Sequence, residues 1–279
     1  MSAQHAVAGA RCLELAPGEA HVWFAWVPSC DDAHDLDRFR RMLAPGETQR
    51  LNRLVTQPLK VEFLMTRALC RETLSRYTDV LSHEWQFEFN AYGKPAISKP
   101  VLATPLQFNL SNSRSVVACV VAVDAEVGID VESWTRHDGA LPIAPRIFSP
   151  SELAMLSACP EPLRARSFYE LWTLKEAYVK ARGMGMSMPL DQVSFSPRAD
   201  PIRAEMSPEL DDDASGWHFE QRALGRDHLL ALAIRRRDSK KVSVFFKQAR
   251  LESLTAEFSD CPQMSARLTH RAQESCHER

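Results

Sequence analysis

The chain is predicted to be a two-lobed α/β protein, and three observations lead there. Runs rich in β-branched and aromatic residues alternate with long stretches of helical periodicity. The order strand, helices, strands occurs twice along the chain. Its 279 residues are enough for one large domain or two modest ones. The expected boundaries are residues 1–124 for an N-terminal lobe, 125–250 for a C-terminal lobe, and 251–279 for a polar, weakly periodic and therefore mobile tail.

Residues 20–27, A-H-V-W-F-A-W-V, stop at Pro28 and read as the first strand. Pro58 then occupies a helix-start position, and Leu59, Phe63, Cys70, Leu74, Tyr77 and Leu81 share one face at 3.6-residue spacing. A long amphipathic helix is predicted there. Lys60, Arg67 and Arg71 lie on a stripe beside that face, the usual place for cations whose stems cover apolar surface. W-Q-F-E-F at 85–89 alternates as a half-buried strand, and N-A-Y-G-K-P at 90–95 turns it. Strands follow at 106–110, 115–123 and 127–131, the second of them nearly all apolar and so buried on both faces. S-P-S-E at 149–152 is a helix start, and residues 163–181 run without glycine or proline to Gly183, which stops the longest helix of the second half. Strands return at 192–195, 217–221, 229–234 and 242–247.

Composition narrows the chemistry. No apolar run approaches the ~18–20 residues of a membrane span, and the first residues, M-S-A-Q-H, lack the basic-then-apolar order of a secretion signal. A cytoplasmic protein with no membrane partner is expected. Seven cysteines without C-x-x-C spacing read as reduced thiols, and nine histidines without an H-E-x-x-H pair give no zinc site. A net charge of -2 gives no sign of a nucleic-acid partner. Residues 38–76 nevertheless hold nine Lys and Arg against three acids, either solvated helix faces or a seat for a phosphate or an acidic partner.

Two segments concentrate the reactive groups. In G-I-D-V-E at 128–132, strand alternation brings Asp130 and Glu132 out on one face while Ile129 and Val131 enter the core. Adjacent carboxylates repel unless cross-strand cations or a metal ion offset them. In W-T-L-K-E-A-Y-V-K at 172–180, helix geometry stacks Trp172, Glu176 and Lys180 in one column. Read alone, Glu176 and Lys180 are a surface ion pair worth about 0.3–0.5 kcal/mol. Read with Asp130 and Glu132, Glu176 completes a set of hard oxygen ligands suited to magnesium, an ion that takes its remaining ligands from water and substrate phosphates. Lys180 then stands ready to meet the oxygen that becomes negative as a phosphoanhydride breaks.

The segments G-K-P at 93–95, F-N-L-S-N-S at 108–113, G-I-D-V-E at 128–132 and W-T-L-K-E-A-Y-V-K at 172–180, in this order, resemble the signatures of the Sfp-type 4'-phosphopantetheinyl transferases. The similarity spans roughly residues 20–247, and the last two motifs together are highly specific. It implies two similar lobes related by a pseudo-two-fold axis, with coenzyme A in the cleft between them. It implies Mg2+ held by Asp130, Glu132 and Glu176, and Lys180 on the pyrophosphate. It further implies Gly93 and Lys94 along the adenosine portion, Arg50 on the 3'-phosphate, and Asn109 and Ser111 lining the same pocket. The reaction implied is transfer of the phosphopantetheine arm to a serine of an apo acyl or peptidyl carrier protein, with Glu176 and Lys180 as catalytic groups and the enzyme a monomer.

One residue departs from the family pattern: Asn112 stands where histidine is usual. A neutral amide donates a hydrogen bond to phosphate but adds no positive charge, so weaker coenzyme A binding is implied. Residues 183–190 match the segment that helps receive the carrier protein, and Met184, Met186 and Met188 there either adapt to an apolar partner or fill core. The rival readings are a carrier-binding relative that has lost activity, motivated by Asn112, and a metal-dependent nuclease. In the common nuclease arrangement glutamate and lysine sit two apart on a strand, not four apart on a helix.

Overall fold

The computed structural model describes residues 12–28, 36–135, 141–236 and 241–249. In chain order the first half holds β1 (Glu19–Trp26), α1 (Leu36–Arg41), α2 (Pro45–Arg53), α3 (Gln57–Ser75), β2 (Gln86–Phe89), β3 (Pro95–Lys99), β4 (Leu106–Ser113) and β5 (Val116–Val123). The second half holds β6 (Ala125–Ser133), α4 (Pro150–Ala158), α5 (Glu161–Arg182), β7 (Val193–Ser196), β8 (Arg203–Met206), β9 (Trp217–Leu224), β10 (His228–Arg236) and β11 (Ser243–Gln248). Every strand predicted from the sequence is present. Two were not foreseen, β3 and β8, which pair only with β2 and β7 in separate two-stranded ribbons.

Two larger sheets organise the chain, one in the order β11-β1-β5-β4 and one in the order β6-β10-β9. Alternate residues of β1 (Ala20, Val22) and of β5 (Val116, Ala118, Val120) meet Val127, Ile129 and Val131 of β6 and Leu230 and Leu232 of β10 in a core between the sheets. On the other face of the first sheet, Val117, Cys119 and Val121 pack against α3. On the other face of the second, Leu229, Ala231 and Ala233 pack against α5. Each half is thus a sheet with its long helix on the face turned away from the other sheet. A fully buried aliphatic side chain contributes roughly 1.5–3 kcal/mol, so these three clusters supply most of the favourable free energy of folding.

The chain passes from the first sheet to the second at Asp124, which has φ 50°. It does not stay there. β11, which the sequence assigns to the C-terminal lobe, lies parallel to β1, with Glu19 opposite Ser243 and Phe24 opposite Gln248. The first sheet is therefore built from both ends of the described chain, and one core joins it to the second. The proposed tail, 251–279, lies outside the described residues.

The helices show where side-chain periodicity misleads. α3 starts as predicted, with Pro58 in its first turn, but ends at Ser75; Leu59 and Leu81 are exposed, and the buried face is Val61, Leu64, Met65, Ala68, Leu69 and Leu74. Tyr77, counted on the same stripe, instead shares its hydroxyl with Trp23 Nε1 and His21 Nδ1, both at 2.8 Å. Arg71 is not a surface cation with a buried stem. It is fully buried, pairs with Glu47 at 2.7 Å and donates to the carbonyls of Trp85 (2.8 Å) and Ser82 (3.2 Å). Arg67 reaches the same carboxylate at 3.7 Å. Part of the basic stretch is thereby consumed in holding α2 on α3.

α4 opens with a capping box in which Ser149 and Glu152 exchange hydrogen bonds. α5 runs 22 residues and stops at Gly183, whose φ of 64° lets its N–H reach Val179 O at 2.9 Å, a conformation that side chains with a Cβ rarely adopt. Beyond it Met188 is buried in the core of the second half and Met184 packs against that core, so Met188 is a core residue and not a docking contact. Among the described residues no helix is long and apolar enough to cross a membrane.

Candidate active site at the junction of the two sheets

β4 and β6 are edge strands of different sheets, lying side by side without a backbone ladder between them. Side chains take its place. Residues 109, 111 and 113 share one face of β4, as period-two geometry requires. Asn109 Oδ1 accepts from the Ile129 N–H (3.0 Å), Ser111 Oγ accepts from the Val131 N–H (3.1 Å), and Ser113 Oγ donates to Glu132 Oε2 (3.1 Å). The F-N-L-S-N-S motif is first of all a seam. Asn109 is buried in that seam and does not line an open pocket.

At the middle of the seam the reactive groups converge. Ser111 Oγ also donates to Asp130 Oδ1 (3.0 Å) and accepts from Lys180 Nζ (3.0 Å), while Lys180 Nζ pairs with Asp130 Oδ1 at 2.6 Å. The partner of Lys180 in this arrangement is Asp130, on the strand that α5 packs against, and not Glu176 one turn away. Asp130 Oδ2 is buried and has no hydrogen-bond partner. An anionic oxygen withdrawn from water without a donor is costly, and a hard divalent cation is the species that best satisfies it. Glu176 stands near enough to feel both groups: burial pushes its carboxyl above the ordinary range, Asp130 pushes it further, and Lys180 partly opposes them. Among the described residues no three acidic, histidine or cysteine side chains are drawn together into a ready metal cage. Asp130 and Glu176 are brought into mutual influence, and Glu132 is held two residues further along β6 by Ser113.

The close approach of α5 to β6 has a local cause. At Gly128 a Cβ would lie 2.0 Å from Ala177 O and 2.4 Å from Ala181 N, so only glycine lets the helix backbone rest on the strand. That contact sets Glu176 and Lys180 against Asp130.

The remaining predicted residues are dispersed. Asn112 lies on the opposite face of β4 from Ser111 and donates to Glu62 of α3, because adjacent strand residues alternate. It therefore does not share the wall that Asn109 and Ser111 form. Arg50 is exposed on α2, its guanidinium 5.7 Å from the Phe63 ring centroid. Gly93, at φ 86°, forms the turn between β2 and β3. Lys94 points its ammonium into the protein, donating to Ala181 O (2.6 Å) and Val127 O (3.3 Å). This ties the turn to the end of α5, as does Asn90 Nδ2 donating to Gly183 O at 2.8 Å. Ser113 and Glu62 were missed by sequence reasoning. The first was legible as the next member of the 109, 111 face, whereas nothing in the sequence joins Glu62 to Asn112.

Burial lowers the Lys94 pKa to about 8, with Glu126 opposing the shift. In the unfolded chain the amine titrates at its ordinary value near 10.5. Between those values the unfolded chain binds more protons than the folded one, so stability rises with pH there, and the cost of charging Lys94 is fully present below about pH 8. Wild type should gain up to about 3 kcal/mol relative to Lys94→Met between pH 8 and 10.5, measured by urea unfolding. A difference independent of pH would contradict this burial.

Comparison with known proteins follows the same residues. The model of the 4'-phosphopantetheinyl transferase superfamily matches residues 126–233, which contain both β6 and α5. The transferase Sfp of Bacillus subtilis is 31% identical over 185 residues, covering 66% of this chain and 78% of that protein. The chain belongs to the 4'-phosphopantetheinyl transferase superfamily. The superfamily's HetI protein from a Nostoc species is 28% identical over 197 residues, 70% of this chain and 82% of its own length. The gsp transferase of Aneurinibacillus migulanus is 30% identical over 168 residues, 60% and 68% respectively. As a member of this superfamily the chain is an enzyme, and its Glu176 and Lys180 lie four apart on α5, not on a strand of the nuclease kind.

Proposed function

We propose that this enzyme moves the 4'-phosphopantetheine arm of coenzyme A onto a serine hydroxyl of an apo acyl or peptidyl carrier protein, releasing adenosine 3',5'-bisphosphate, in a Mg2+-dependent reaction. The observation that carries this reading is the Ser111–Asp130–Lys180 cluster with the partnerless Asp130 Oδ2 and Glu176 beside it. Asp130, Glu132 and Glu176 are the residues that would hold the ion. Bound there, Mg2+ would neutralise charge on the pyrophosphate.

The protein's own groups divide the remaining work. Lys180 is the cation placed to meet the oxygen that gains charge when the phosphoanhydride breaks. Glu176, the carboxylate beside Asp130 and Lys180, is the candidate for removing the proton from the attacking serine hydroxyl. Arg50 on its exposed helix is the candidate for the 3'-phosphate, aided by Asn112, and the Gly93–Lys94 backbone for the adenosine. The Lys94 ammonium is excluded from that role by its two carbonyls. The enzyme is read as a cytoplasmic monomer whose N-terminal and C-terminal lobes, 1–124 and 125–250, share the site.

The test is mass spectrometry of several apo carrier proteins incubated with the enzyme, coenzyme A and Mg2+. Addition of the phosphopantetheine arm to a serine is expected. Binding of a carrier without modification would favour the impaired relative, and metal-dependent cleavage of DNA would favour the nuclease.

A further inference from the structure

We propose that Glu152 and Lys175, which touch neither of the catalytic groups, form a positioning pair that sets the rotation of α5 and so aims Glu176 and Lys180 at Asp130. The proposal rests on the reading of Asp130 and Glu176 as the metal and phosphate end of the site. Lys175 directly precedes Glu176 but projects about 100° away around the helix, toward α4 and β7. It is fully buried. Its ammonium pairs with Glu152 Oε2 at 2.8 Å and donates to the carbonyls of Leu190 (2.7 Å) and Val193, between the rings of Phe148 and Phe195.

Glu152 is as completely engaged. A glutamate at this position of a capping box ordinarily sits at the surface, with one oxygen on the helix start. Here Oε2 accepts from the Ser149 N–H at 2.8 Å and also holds Lys175, while Oε1 accepts from the Phe195 N–H at 2.9 Å. One ion pair therefore gathers the start of α4, the middle of α5, the loop at Leu190 and β7. All three ammonium hydrogens have acceptors in different directions, so the Lys175 end cannot swing without breaking one.

Stability alone does not account for such a pair. Buried ion pairs are about as stable as well-packed apolar replacements, whereas directional bonds resist rotation that apolar packing tolerates. The magnitudes make rotation matter. A turn of α5 by about 20° sweeps a side-chain end some 5–6 Å from the axis through about 2 Å. Displacement of about 1 Å at a reacting centre is enough to cost about a hundredfold in rate. Gly128 fixes how near α5 comes to β6; Lys175 fixes which residues it presents.

The experiment compares wild type, Lys175→Met and Glu152→Gln. Folding is followed by circular dichroism, Mn2+ binding by electron paramagnetic resonance without substrates, and transfer by mass spectrometry. Mn2+ stands in for Mg2+ because both take hard oxygen ligands. Lys175→Met is expected to weaken Mn2+ binding and lower kcat by about tenfold each, with the KM for coenzyme A within about twofold of wild type. Glu152→Gln keeps the volume and, through its one amide oxygen, the cap, but turns an NH2 toward the Phe195 N–H, and should move both in the same direction. Folded variants that bind Mn2+ and turn over as wild type does would overturn the positioning role. If Lys175→Met does not fold, Glu152→Gln decides by the same criteria. If wild type neither binds Mn2+ nor transfers the arm, the functional reading falls and this proposal with it; if only the variants match a competent wild type, the positioning role falls alone.

Discussion

Glu176→Gln is expected to lose at least about a hundredfold in transfer while becoming more stable in EDTA. The loss follows from removing a carboxylate that both offers an anionic oxygen to the ion and can take a proton, since such groups contribute roughly 100- to 10,000-fold. The gain follows from linkage. Burial and Asp130 raise the folded-state pKa of Glu176 above its unfolded value, so between the two values the folded chain binds more protons and stability falls as pH rises. Above the folded pKa the penalty is fully present, and a neutral amide escapes it. Transfer rates by mass spectrometry and urea unfolding in EDTA at about pH 7.5 check both halves. A Gln variant less stable than wild type in EDTA would show that Glu176 is held by favourable contacts, and transfer undiminished by EDTA would remove the metal from the reaction.

Gly128→Ala should destabilise the protein by about 3 kcal/mol or more and abolish turnover well below its melting temperature. The added carbon would meet Ala177 O at 2.0 Å and Ala181 N at 2.4 Å, atoms of helix backbone that cannot rotate aside. α5 must lift from β6, carrying Glu176 and Lys180 away from Asp130. Gly46, in α2, is the matched control: nothing lies within 4 Å of its Cβ position. There alanine should be neutral or stabilising by up to about 1 kcal/mol, through the usual preference of alanine over glycine in a helix. Equal effects at the two sites, read from urea midpoints, would mean that the close approach at Gly128 does not bear on stability.

Most of the strands and both long helices were legible because their side chains repeat with the period of the element. The apolar run of β5 and the glycine stop of α5 are local signals, and both survive in the fold. β3 and β8 were not legible: P-A-I-S-K and R-A-E-M lie in small ribbons with little burial, so no hydrophobic alternation marks them. The overrun of α3 toward Leu81 has a different cause. Tyr77 keeps helical spacing in the sequence but is placed by hydrogen bonds to β1, which no local pattern encodes.

The candidate site divides along the same line. Asp130, Glu176 and Lys180 were found from spacing within single elements, and the packing of α5 on β6 brings them together. The identity of the Lys180 partner was not available from spacing, because the i,i+4 rule offers Glu176 and only tertiary structure offers Asp130. Lys175 is the sharper case. It lies between residues recognised as functional and has the same charge as Lys180, yet its side chain is buried against α4 and the Leu190 loop, and nothing in W-T-L-K-E distinguishes a lysine bound for the core from one bound for the site.

The parallel pairing of β11 with β1 has a consequence for synthesis. Residues 19–26 are made early, but one edge of that strand stays open until residues 243–248 have emerged, more than two hundred residues later. During elongation the sequence H-V-W-F-A-W offers unpaired backbone groups and aromatic surface to any other nascent chain. The closing contact is also among the most non-local in the molecule, the kind whose loop-closure cost slows folding. Completion of the first sheet is thus late by construction, and the interval before β11 docks is when the chain most needs protection from its own copies.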